Sequence, residues 1–198
     1  MANKKLTPLP EHYERQLGEI ARGWSDEKQV HGIQIVSFKG QPGSGVTTFA
    51  TLGLSKYVLN LSGTRQIRQE LLVSANDAFS SDAVAGLVLS LAERVALRGK
   101  ALLLGEVIGP GDPVIAGSTL TAVYVTNPSP FAKSLTEFVS EPPATVFATL
   151  APITAAESSI VRQHGLSWFE AQIEEQNPDI WDLSRSEEVV RPNGQGSI

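Results

Sequence analysis

The stretch Gly40-Gln41-Pro42-Gly43-Ser44-Gly45-Val46-Thr47 has the spacing of a phosphate loop, G-x-x-x-x-G-x-[ST], and follows a segment with the pattern of a strand. Such a loop relies on a lysine to compensate the β- and γ-phosphate charge, and here Val46 holds that place. Phosphate binding also needs a helix N-terminus aimed at the anion, whereas Val46-Thr47-Thr48-Phe49 followed by Gly53 suits a strand. The segment is expected to be a hairpin loop that holds no nucleotide. His12, His31 and His164 lie far apart and form neither H-x-x-x-H nor H-E-x-x-H, so no metal set is expected. With no cysteine, disulfides, zinc fingers, iron–sulfur sites and thiol nucleophiles are excluded. Gly53-Leu54-Ser55-Lys56 is only superficially like a G-x-S-x-G nucleophile elbow. The acidic pairs Glu174-Glu175 and Glu187-Glu188 are adjacent, point in different directions and read as solvated faces. These patterns assemble no catalytic residue and no cofactor site, and a chain that is not an enzyme is expected.

Composition narrows the class further. The 198 residues carry 16 basic and 21 acidic side chains, a formal charge of −5. That is long enough for one domain with a sizeable core, and an acidic balance argues against sequence-independent nucleic-acid binding. Arg94, Arg98 and Lys100 sit at the end of an expected helix, where cations complement the helix dipole. Lys4 and Lys5 are followed by Leu6-Thr7-Pro8-Leu9-Pro10-Glu11, which lacks the apolar stretch of a signal peptide, so a cytoplasmic protein is expected. The longest aliphatic run, Ala101 to Leu104, falls far short of the roughly 20 residues of a membrane span.

The elements that would position any site follow from periodicity. Thr7, Pro8 and Pro10 signal a helix start, and Tyr13, Leu17, Ala21 and Trp24 recur at helical spacing, so a helix is expected over about 10–22. Strands are expected at 30–38, 46–52, 67–73, 102–108, 120–126 and 145–150. The longest helix begins at Ser81, with Val84, Leu87, Val88, Leu91 and Val95 on one face and Gly99 as its stop. Thr154 with Glu157, and Ser167 with Glu170, have capping-box spacing and predict two short helices, the second stopping before Asn177-Pro178. Runs of strands with one long helix between them point to α+β with a mixed, largely antiparallel sheet flanked by helices. Residues 1–24 read as an N-terminal helix, 25–190 as the main domain and 191–198 as a flexible tail.

The order of segments carries a resemblance. Thr47-Thr48-Phe49-Ala50-Thr51-Leu52-Gly53-Leu54-Ser55 resembles the aromatic-x-x-x-G-L-S signature of the suppressor of fused domain. Gln69-Glu70-Leu71, Leu91-Ala92-Glu93-Arg94-Val95 and Leu104-Gly105-Glu106-Val107-Ile108 follow in that family's order. So do Leu120 to Pro128, Val146-Phe147 with Ile153-Thr154-Ala155-Ala156-Glu157, and Asp182-Leu183-Ser184-Arg185. The resemblance covers about residues 25–190 and implies a suppressor-of-fused-like fold. The resemblance implies that animal relatives restrain a transcription factor with the help of a second, C-terminal domain, and a chain without that domain is expected here. It is similar to the bacterial stand-alone type, which implies a cytoplasmic immunity protein that binds and neutralises a polymorphic toxin. The alternative is an intracellular regulator or adaptor that adds a client strand to a sheet edge. In either case the implied partner is a protein, and neither nucleic acid nor membrane. Glu70, Glu106, Asp112, Glu157 and Arg185 occupy matched motif positions or the loops beside them and are the expected contact residues. Read as residues alone, the motifs also have structural explanations: Gly53 allows a close backbone approach, Thr154 and Glu157 are expected to cap a helix, and Asp182 with Arg185 is expected to make a local ion pair.

Overall fold

The β-branched and aromatic runs of the chain fold as strands. In the computed structural model, residues 8–25, 31–131, 133–139 and 142–185 are described. The strands are β1 (Arg22–Ser25), β2 (Gln34–Lys39), β3 (Val46–Leu52), β4 (Leu59–Ser62), β5 (Arg65–Asn76), β6 (Val107–Ile108), β7 (Ala122–Thr126), β8 (Glu137–Phe138) and β9 (Thr145–Ile153). The helices are α1 (Leu9–Leu17), α2 (Ser81–Arg98), α3 (Ala155–His164) and α4 (Leu166–Gln176). One sheet runs in the order β1-β2-β3-β5-β9-β7-β6, with β4 beside β5 and β8 beside β9. Every pairing of strands is antiparallel except β5 with β9. The architecture is the expected α+β with a mixed, largely antiparallel sheet.

Alternation along the strands sorts side chains onto two faces. Leu71, Val73, Val123, Val125, Ala148 and Leu150 point to the side covered by α2, whose Val84, Val88, Leu91 and Val95 complete the largest core. Leu72 and Phe147 point the other way and meet Tyr13 and Leu17 of α1, so the N-terminal helix shares the core of the main domain. On that second face, Ala122, Tyr124 and Ile153 are covered by Val161 of α3 and Phe169 of α4. Among the described residues, the sheet thus has one α-helix on one side and three on the other.

Several boundaries differ from the sequence reading. The first helix stops at Leu17, because Gly18 takes a φ of +88° that ordinary helix residues do not adopt. The chain then turns into β1, with the Ala21 amide donating to the Ser37 carbonyl at 2.8 Å. The expected strand over 102–108 is reduced to Val107–Ile108. Leu102 instead exchanges two 3.0 Å bonds with the Gln69 side chain, and the Leu103 amide donates to Glu106 Oε2 at 2.9 Å. Side chains there occupy backbone groups that a ladder would have used. The box at Thr154 and Glu157 forms in full. The one at Ser167 and Glu170 does not: Gly165 is the N-cap, Ser167 lies inside α4, and Glu170 is bound to β7. The tail expected at 191–198 lies outside the described residues.

Candidate partner-binding site

The glycine-rich loop joins β2 to β3 as a hairpin, with Gln41 N donating to Val46 O at 3.1 Å. The run Val46 to Leu52 is a strand, not the helix a phosphate loop requires. Among the described residues no group of three or more His, Asp or Glu side chains is placed to hold a metal.

Of the five expected contact residues, three lie inside the protein. Glu70 is fully buried on β5. Its Oε1 accepts from the amides of Gly53 and Ser55, each at 3.0 Å, and its Oε2 accepts from the Thr51 hydroxyl. Thr51 Oγ1 in turn accepts from the Leu71 amide at 2.8 Å, and the Thr51 carbonyl accepts from Tyr13 Oη at 2.9 Å. A side chain at Gly53 is excluded, since a Cβ would stand 2.8 Å from the Gly32 carbonyl oxygen and φ is +112°. The G-L-S signature is therefore a backbone cradle for one carboxyl group. Burial raises the Glu70 carboxyl above its ordinary value of 4.5, and the bonds from Thr51, Ser55 and Gly53 oppose that rise without cancelling it. Burial, and then the charge of Glu70, raises the Tyr13 phenol as well.

Glu157 and Arg185 are buried and meet each other. Arg185 Nη1 donates to both Glu157 oxygens, at 2.6 and 2.8 Å, and Nη2 donates to the Pro152 carbonyl at 2.8 Å. Glu157 Oε2 also closes the capping box on the Thr154 amide at 2.8 Å. The expected ion pair of Asp182 with Arg185 is replaced by this longer one. Asp182 Oδ1 accepts from the Ser184 amide at 2.8 Å and from its hydroxyl, which turns the chain so that Arg185 reaches inward.

Glu106 is half-buried and Asp112 exposed. They line adjoining grooves between α2 and β6 that share Leu91, Arg94 and Ile108. Neither is enclosed in the core, and Arg94 lines both grooves with them.

A third depression has a different character. A groove of about 430 Å³ opens between β7 and α4, lined by Tyr124, Thr126, Glu170, Ile173, Glu174 and Ile180. Glu170 Oε1 accepts from Tyr124 Oη at 3.2 Å and Thr126 Oγ1 at 2.7 Å. Burial, then the neighbouring Glu170 charge, raises the Tyr124 phenol, so it stays a donor. The spacing of Glu170 from Ser167 predicts a cap, and the structure gives Glu170 this bond to β7 instead. The signal for its other role is the spacing of Glu170 and Glu174, four apart and hence on one helix face, though nothing local predicts that β7 forms the opposite wall.

Known proteins with this pattern agree. The family model for Suppressor of fused protein (SUFU) matches residues 29–186. The chain is 26% identical over 178 residues to Immunity protein YqcF of Bacillus subtilis (strain 168), covering 87% of this chain and 88% of that one. A suppressor of fused homologue from Neisseria gonorrhoeae superposes with a TM-score of 0.69 at 17% identity, over 93% of this chain and 94% of that one. The Sufu–Fu complex gives 0.66 at 12% identity, over 91% and 88%. Drosophila Suppressor of Fused gives 0.63 at 13% identity, over 79% of this chain but 42% of its own. With its signature residues forming the internal ties of the sheet and the family match running from 29 to 186, the chain belongs to the suppressor of fused family.

Proposed function

We propose that this protein is a non-catalytic, cytoplasmic immunity protein that occludes a cognate toxin domain one to one. The observation that carries the reading is the likeness to Immunity protein YqcF along nearly the whole of both chains. The placement of the motif residues supports it. Glu70, Glu157 and Arg185 are spent on holding the frame, which leaves the partner to the outer surface, including Glu106 and Asp112. A formal charge of −5 suits a cationic partner, with steering from exposed acids and most affinity from a few buried anchors.

Co-expression with the protein encoded by the neighbouring gene is the test. Rescue of growth together with a stable 1:1 complex is the expected result, and full lethality with no complex removes the reading. If steering operates, raising salt from about 50 to 500 mM slows association more than it speeds dissociation, because exposed charges are screened beyond a Debye length. The adaptor reading draws on a separate observation: β1 ends the sheet, and among the described residues no strand pairs with its outer edge. Capture of an extended client strand there, with no toxin rescued, would favour it.

A further inference from the structure

The groove between β7 and α4 combines two features that select one kind of occupant. Its walls include the apolar side chains of Ile173, Ile180 and Ala151 and the ring of Tyr124. Among the described residues its charged lining is Glu170 and Glu174, with no Lys, Arg or His beside them. Ile173 and Ile180 also floor a neighbouring groove of about 480 Å³ that continues to Trp181 and whose lining charge is Asp179. The two depressions follow α4 and the segment after it, with acids along the sides and aliphatic and aromatic surface beneath.

A lysine or arginine side chain needs both components. Its methylene stem lies on apolar surface while its head is held by carboxylates. A guanidinium offers planar, paired donors that match a carboxylate edge. Glu170 is fixed for this role: Tyr124 and Thr126 both donate to Oε1, which orients the carboxylate by bonds to neutral groups, and among the described residues no cation pairs with it. Glu174, one turn later on the same helix face, is exposed. The contrast is with the adjoining grooves of Glu106 and Asp112, both of which have Arg94 in their lining.

We infer that the groove between β7 and α4 is the docking site for a basic, extended peptide segment of the protein partner, with an arginine or lysine seated between Glu170 and Glu174. The inference rests on the protein-binding reading above and names the surface and the chemistry that the partner must present.

The peptide acetyl-Ala-Arg-Ala-Arg-Ala-amide is the probe, and its citrulline counterpart, which keeps the shape and lacks the charge, is the control. Amide shifts in a ¹⁵N NMR titration of the full chain are expected to cluster at Tyr124, Thr126 and residues 170–181. Citrulline should weaken binding about tenfold or more, as loss of a charge-assisted pair does. Glu174→Lys should do the same, while Glu19→Lys, an equal change of net charge at an exposed site on another part of the chain, should stay within about twofold of the parent. Glu170→Gln removes the charge while its carbonyl oxygen still accepts from Tyr124 and Thr126, and it should weaken binding as Glu174→Lys does. Shifts scattered over the surface, equal binding of the citrulline peptide, or equal losses for Glu174→Lys and Glu19→Lys would each overturn the proposal. The titration needs no toxin. A peptide that fails while the toxin complex forms refutes the groove alone, and a peptide that binds while the toxin is untouched refutes the immunity reading alone.

Discussion

Two glutamates lie at the heart of this protein, and the sheet treats them in opposite ways. Glu70, on the central strand β5, is surrounded by neutral donors: two backbone amides and one hydroxyl. Glu157, at the first turn of α3, is clamped by the Arg185 guanidinium while it caps its own helix. Both are buried, at 0 and 1% exposure. The first is a hydrogen-bonded hub whose carboxyl is raised by burial, and the second is one half of a compensated ion pair. The difference teaches that a buried acid marks a motif here for two separate reasons, one to organise backbone and one to tie a distant segment of chain.

The largest test of that contrast is Arg185→Met. It leaves the Glu157 charge buried without its cation and should cost about 3–5 kcal/mol in urea unfolding. Glu70→Ala strips the acceptor from three donors, the Thr51 hydroxyl and the Gly53 and Ser55 amides, and a loss of about 2–3 kcal/mol is expected by the same measurement. If both losses were equal and independent of pH, the distinction between a compensated and an uncompensated acid would collapse.

The pH dependence of Glu70 sharpens it. Its folded value lies above 4.5, so over a window starting near 4.5 and running upward the folded state holds more protons than the unfolded one. Stability therefore falls as pH rises through that window, and below it the penalty is absent. Glu70→Gln cannot ionise. The wild type should lose ground relative to this variant as urea midpoints are followed from pH 4 to 7, and a constant difference would contradict the raised value.

The smallest test concerns the two helix starts. Thr154→Ala should cost about 1 kcal/mol, because the Glu157 amide loses its acceptor. Ser167→Ala should stay within about 0.5 kcal/mol, since Ser167 caps nothing. Comparable shifts in the two midpoints would place a working cap at Ser167 after all.

The sequence discloses what is local and hides what is distant. Val46 to Leu52 reads as a strand from its β-branched run, and Thr154-x-x-Glu157 reads as a cap from four adjacent residues, because each signal is complete within the segment. Leu102 to Leu104 reads as a strand and is not one, because Gln69 reaches across from β5 to take the backbone bonds of Leu102. The same holds for Arg185: the motif flags it, but its partner is 28 residues away rather than Asp182. The basic-segment groove is hidden for that reason too. The pairing of Tyr124 and Thr126 with Glu170 crosses from strand to helix, and only the four-residue interval between Glu170 and Glu174 is visible beforehand.

The parallel pairing of β5 with β9 has a consequence for how the nascent chain becomes this molecule. Its register sets Arg68 against Thr145 and Leu72 against Thr149, so the middle of the sheet waits until the chain has been synthesised well past α2. The meander of β1, β2, β3 and β5 joins through neighbouring segments and needs none of that later sequence. Until β9 emerges from the ribosome, the inner edge of β5 carries unpaired amides and carbonyls beside Leu71 and Leu72, a template for intermolecular strand addition. Sticking between incomplete chains during synthesis is thus built into the order of the strands, and a pause in translation before residue 145 would lengthen the exposure.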